Sequence, residues 1–167
     1  MRSTEEITIV NVPNSERSEI IRQDAIAFWK KHKVLIKEEV LQKRASELLL
    51  LAYDDKQNVI AASTFEKVKL KLLDNNFLYQ YRCFIDPNFR VIGFDYHLTQ
   101  KSLDTLEAMA QKEEVKPIGV VTVIENPNLY NNKVNNAAVW RAYKMYFIGF
   151  NTKGQPIRVY YFKDAVI

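Results

Sequence analysis

The chain has 167 residues, 47% of them hydrophobic, and a net charge of +4, which suits one globular domain with its own core and excludes both a disordered composition and two full domains. The mild positive excess is spread along the chain, so no basic tail is defined. Cys83 is the only cysteine and His32 and His97 the only histidines, which excludes an internal disulfide and leaves no ligand-like spacing, so no metal is expected.

Residues 1–6 are charged and lack the apolar stretch of a signal peptide. No apolar run approaches the ~20 residues needed to cross a bilayer, so no membrane partner is expected and the cytoplasm is the expected compartment. Ile7 to Val12 reads as a first strand closed by Pro13 and Asn14. Ser15 to about Lys33 is helical, with Ile21, Ala25 and Phe28 on one face and Asn14 or Ser15 as cap. A second helix from about Ile36 to Ser46 turns Ile36, Val40 and Leu41 inward.

Leu48 to Tyr53 is an unbroken apolar run, as expected of a central strand covered on both faces. A turn over 54–58 leads into a long strand from Val59, in which Val68, Leu70 and Leu72 alternate with Lys67, Lys69 and Lys71. Asp74-Asn75-Asn76 then reverses the chain into an antiparallel partner, Phe77 to Ile85, which ends at Pro87. Tyr96 to Lys112 is helical, with Leu103, Leu106 and Ala110 on one face. Pro117 to Ile124 is a buried strand broken by Asn126-Pro127-Asn128. The spacing of Val134, Ala137, Ala138 and Arg141 predicts a fourth helix from Val134 to about Tyr143. Two strands close the chain, Met145 to Phe150 and Ile157 to Phe162, joined by a hairpin loop over 151–154.

This order of about seven strands and four helices predicts an α/β fold, a single domain over residues 1–167 with a mixed sheet and helices on both faces. No repeat or linker interrupts it.

The segment richest in chemistry is Ile85-Asp86-Pro87-Asn88-Phe89-Arg90-Val91-Ile92-Gly93-Phe94-Asp95. A strand stops at a proline, a short loop carries Arg90 and Gly93, and a helix follows at once. Such a turn aims several backbone N–H groups at one point, and the helix N-terminus adds partial positive charge there. The product is an anion site suited to a pyrophosphate, with Gly93 allowing close backbone approach.

These residues and the element order resemble the GNAT superfamily of N-acetyltransferases, whose donor motif runs from a strand into Arg/Gln-x-x-Gly-x-Gly/Ala and a helix. Arg90 and Gly93 match that motif, whereas Asp95 stands where the family has a small residue. The resemblance implies a GNAT-like acyl-CoA N-acyltransferase fold with acetyl-coenzyme A, or a short-chain relative, as donor. It implies donor contacts at Phe84 and Ile85 and through Arg90, Val91, Ile92, Gly93, Phe94 and Asp95, with the pantetheine arm lying against the strand end. The acceptor would be an amine of a small molecule or a protein.

Acyl transfer to an amine requires a base to take the proton of the attacking nitrogen and an acid to protonate the departing thiolate. The family's tyrosine acid, four residues before a Gly-Phe pair, would fall on Met145 here. Tyr143 and Tyr146 flank it, and Tyr143 is the expected acid because it continues the predicted helix face. Glu125, at the carboxyl end of a buried strand, is the expected base.

Two rival readings follow from particular residues. Asp95 and the displaced tyrosine suit a GNAT-like ligand-binding or regulatory domain without catalysis. Lys67, Lys69 and Lys71 opposite Gln80 and Arg82, with Tyr79 or Tyr81 for stacking, suit a nucleic-acid module, although a solvated sheet face accounts better for them. Cys83 is expected in the core. Tyr160-Tyr161-Phe162 reads as core packing, with a homodimer contact as its further use.

Overall fold

The computed structural model describes residues 6–89, 91–131 and 135–167. Eight strands form one mixed sheet: β1 (Thr8–Asn11), β2 (Leu48–Tyr53), β3 (Val59–Leu70), β4 (Asn76–Ile85), β5 (Gly119–Val123), β6 (Val139–Trp140), β7 (Met145–Phe150) and β8 (Pro156–Tyr161). Their order across the sheet is β1-β2-β3-β4-β5-β8-β7-β6. The helices are α1 (Ser18–Lys31), α2 (Glu38–Ser46), α3 (Phe94–Ala110) and the single turn α4 (Pro127–Tyr130). The α/β class and mixed sheet agree with the sequence, and β6 raises the strand number to eight.

The chain divides into two compact units, Met1–Phe65 with Cys83–Asp95 and Glu66–Arg82 with Tyr96–Ile167. In the first, β2 pairs antiparallel with both β1 and β3. Leu48, Leu49, Leu50, Leu51 and Ala52 are all buried, which explains why this strand reads as a continuous apolar run. Ile21, Ala25, Ile26, Phe28 and Trp29 of α1 pack into the same core as Leu41 and Ala45 of α2.

Both helix starts differ from the sequence expectation. Ser15 caps no helix; its Oγ accepts a hydrogen bond from the Arg17 amide, and its own amide donates to the Val12 carbonyl. These bonds hold 12–17 in turns and delay α1 to Ser18. Ile36 precedes α2 and is exposed, as is Val40. The inward stripe of α2 is Leu41 and Ala45, at the i, i+4 spacing of one helix face.

In the second unit, β4 and β5 are parallel neighbours, with Tyr79 opposite Val120 and Gln80 opposite Val121. β5 also pairs antiparallel with β8, and β8 with β7. Leu78, Ile118, Val121, Ile157 and Val159 form the core there. Leu103, Leu106 and Ala110 of α3 are buried, as their spacing predicts, and Leu98 is buried with them. The alternation of β3 stops at Leu70, because Lys71–Leu73 form a 3-10 turn and Asp74 and Asn75 take left-handed conformations (φ +49° and +59°) to reverse the chain.

The fourth helix predicted from Val134 to Tyr143 is not formed. Val134 itself lies outside the described residues, Val139–Trp140 is a strand, and 141–144 is a turn. The carbonyls of Asn135, Ala137 and Ala138 are satisfied from outside: Arg158 Nη2 donates to Asn135 and Ala137, and the Phe147 amide donates to Ala138. A helix would have to give up those bonds, and Asn135-Asn136 has low helix propensity. Among the described residues, the helical turn nearest before it is α4, capped by the Asn126 side chain, which accepts from the Asn128 amide.

Candidate functional site

The loop entering α3 is organised by Asp86. Its carboxylate, nearly buried, accepts a hydrogen bond from the Asn88 amide at 2.8 Å, while its carbonyl accepts from the Phe89 amide. These bonds close a 3-10 turn over Pro87–Phe89. The Asp86 amide is tied to the Ile60 carbonyl at 2.8 Å, and His32 Nε2 lies 3.3 Å from Oδ2. Phe84 sits two residues before Asp86, its ring 5.5 Å from the rings of both Phe28 and His32. The end of β4 is therefore anchored before the chain leaves the sheet. Asp86 escaped the sequence reading, although Asp-Pro-Asn after a strand is the signal of such a side-chain-capped turn.

Beyond the turn, Val91 and Ile92 are exposed, and Ile85 is half-buried. Arg90 lies outside the described residues. Gly93 has φ +86°, and a Cβ there would meet nothing within 4 Å. The glycine is thus required by backbone conformation rather than by crowding, and open space lies beside it. Phe94 follows as the first residue of α3 and is buried. The Val91 and Phe94 amides already donate, to the Phe89 and Val91 carbonyls, so an anionic group at this open glycine corner would draw on the helix dipole and the other amides beside Gly93.

Asp95 is the second residue of α3 and is exposed. It follows Phe94, so it stands inside the first turn and does not occupy the capping position before the helix. Its carboxylate favours the helix dipole and opposes a bound phosphate for the same reason, being negative at a positive end.

Tyr143 is carried by the turn between β6 and β7 rather than by a helix. Its amide donates to the Trp140 carbonyl, and Lys144 closes the turn at φ +53°. The Tyr143 ring packs 5.5 Å from Tyr96, the third residue of α3, and 6.2 Å from Trp140. Tyr146 points elsewhere, to Tyr161 at 6.1 Å. Met145, at the family's tyrosine position, is buried. Glu125 is exposed two residues beyond β5.

The remaining sequence candidates dissolve into structure. Lys67 is ion-paired with Glu113, which also accepts from the Tyr79 hydroxyl. Burial would raise the Glu113 pKa, but these two donors outweigh it and hold it below the usual carboxylate range. The Lys67 and Lys69 ammonium groups stand over the Phe77 ring, and Arg82 lies 3.9 Å from Glu66. Tyr79 and Tyr81 are buried, so neither offers a face for base stacking. Cys83 is exposed rather than in the core. Phe162 is buried and Tyr160 and Tyr161 half-buried. No helix among the described residues is long and apolar enough to cross a membrane.

No protein-family model matches the sequence, and no curated protein matches it. Solved structures match over nearly the whole chain. A GNAT-family acetyltransferase from Streptococcus pneumoniae aligns with TM-score 0.64 at 12% identity, covering 94% of this chain and 99% of its own. A phosphinothricin acetyltransferase from Sinorhizobium meliloti, in complex with acetyl-CoA, aligns with TM-score 0.62 at 12% identity, covering 98% and 91%. A GNAT-family N-acetyltransferase from Escherichia coli, in complex with CoA, aligns with TM-score 0.61 at 17% identity, covering 96% and 84%. The chain has the GNAT acyl-CoA N-acyltransferase fold.

Proposed function

We propose that this protein is a cytoplasmic N-acyltransferase that takes an acetyl or short acyl group from coenzyme A and passes it to an amine of a small molecule or protein. The observation that carries the reading is the anchored β4 end followed by the positive-φ Gly93 and the start of α3, within a chain that follows the GNAT fold along its length. Solved relatives of that fold hold CoA or acetyl-CoA.

In this reading the loop from Val91 and Ile92 through Gly93 to Phe94 and Asp95 receives the pyrophosphate at the start of α3, and Arg90 adds a charge-assisted contact. The backbone of Phe84 and Ile85 pairs with the pantetheine amides. The neutral amine attacks the thioester carbonyl, the C–S bond breaks, the amine gives its proton to Glu125 or water, and the thiolate takes one from Tyr143.

Incubation of the protein with acetyl-CoA and a panel of amines, following CoA thiol release with a chromogenic disulfide, tests this directly. The exposed Cys83 supplies a fixed background that Cys83→Ser removes. Amine-dependent thiol release supports the reading. A protein stabilised thermally by acetyl-CoA but silent with every amine supports the second reading, a GNAT-like binding domain, which the buried Met145 and the Asp95 charge favour. Absence of both responses removes both.

A further inference from the structure

The described residues that follow β5 line, with β7 and β8, an open cavity of about 410 Å³. Its size is that of a small-molecule site. Ile124, Tyr130, Trp140, Phe147 and Phe150 give it an apolar, largely aromatic wall. Asn131, Asn135 and Asn136 add amide groups, and among the described lining residues Arg158 carries the only charge.

Arg158 is an unusual residue to find there. It is buried in the middle of β8 between Ile157 and Val159. Nη2 donates to the carbonyls of Asn135 and Ala137, and the guanidinium stacks on the Trp140 ring at 4.1 Å. Nε and Nη1 have no hydrogen-bond partner among the described residues, and no carboxylate there is paired with the group. Burial draws its pKa downward, yet a guanidinium keeps its proton at neutral pH. An uncompensated buried cation is costly unless an anion neutralises it, and in a low-dielectric wall its field reaches into the adjoining cavity.

We infer that this cavity binds a small monocarboxylate with an apolar, ring-sized body, its carboxylate received by the asparagine amides in the field of Arg158 and its body by the aromatic wall. None of the residues involved belongs to the loop assigned to coenzyme A. The inference therefore stands or falls separately from acyl transfer.

Phenylacetate and its neutral isostere phenylacetamide are suitable probes, titrated into the full chain by calorimetry without any acyl donor. Phenylacetate should bind about tenfold or more tightly than phenylacetamide, and Arg158→Gln should remove most of that preference. Because Arg158 also supports the chain at 135–137, its variant is checked for folding by circular dichroism. Phe147→Glu, at a partly exposed β7 position on the same wall, gives an independent readout and should abolish phenylacetate binding by like-charge repulsion. Equal affinity for the two probes, no binding of either, or phenylacetate binding that survives Phe147→Glu or a folded Arg158→Gln overturns the inference.

Discussion

The ring of Tyr143 stands edge-on to the ring of Tyr96, with centroids 5.5 Å apart. Tyr96 is the third residue of α3, so this contact ties the β6–β7 turn to that helix within the second unit. Tyr146 packs on Tyr161 instead. Tyr143→Phe should lower kcat at saturating donor by about 10²-fold if Tyr143 is the acid, while Tyr146→Phe leaves it within a small factor. Steady-state rates of the two variants decide it; an equal or larger loss at Tyr146 assigns the role wrongly.

Gly93 offers a cleaner test of the loop. A methyl group there meets nothing within 4 Å, but φ +86° disfavours any L side chain. Gly93→Ala should therefore cost about 1–2 kcal/mol through backbone conformation alone, and Gly93→Asn should cost less. Urea unfolding of both variants measures this. An alanine variant as stable as the parent would show that the loop does not need the left-handed conformation.

Gly119 is constrained in the opposite way. Its Cβ would collide with the Tyr160 backbone carbonyl on the neighbouring strand β8, and neither backbone can yield without breaking the β5–β8 ladder. Gly119→Ala should destabilise by about 3 kcal/mol, visible as a lower urea midpoint. A neutral effect would mean that β5 and β8 are not held in this register.

The β2–β3 loop supplies a pH dependence. Asp54 accepts hydrogen bonds from the amides of Lys56 and Asn58 and from the Asn58 side chain. Burial would raise its pKa, but these bonds win and hold it below the ordinary value. A depressed carboxylate contributes stability that is present above the unfolded pKa of about 4 and is lost as pH falls through the folded value. Thermal stability should thus be level near neutrality and drop below about pH 4, and Asp54→Asn should flatten part of that drop. An unchanged acid profile in the variant would remove Asp54 from the account.

Most of the architecture was legible because periodicity reports burial. The run from Leu48 to Ala52, the α1 stripe of Ile21, Ala25 and Phe28, and the α3 face of Leu103, Leu106 and Ala110 all reappear as core. The segment from Val134 to Tyr143 was misread because its apparent helical spacing competed with contacts far away in sequence. Arg158 and the Phe147 amide bind the carbonyls of Asn135, Ala137 and Ala138, and local pattern carries no trace of them. The same distance effect hid Arg158 itself, which reads as an ordinary polar position in a strand. Gly93 was legible as a turn residue, since few glycines are present and each tends to mark a special backbone angle. The pairing of Tyr143 with Tyr96 was not, because it depends on where the β6–β7 turn lands.

Calorimetric titration of coenzyme A into the parent protein and Arg90→Ala tests the central claim most directly. The donor reading predicts measurable binding by the parent and a loss of about 1.5–3 kcal/mol in the variant, the worth of one charge-assisted phosphate contact. Asp95→Ala, measured alongside, should bind more tightly than the parent as a negative charge leaves the helix start. No heat of binding to the parent at millimolar coenzyme A, or equal affinity in Arg90→Ala, would contradict the assignment of this loop to the donor.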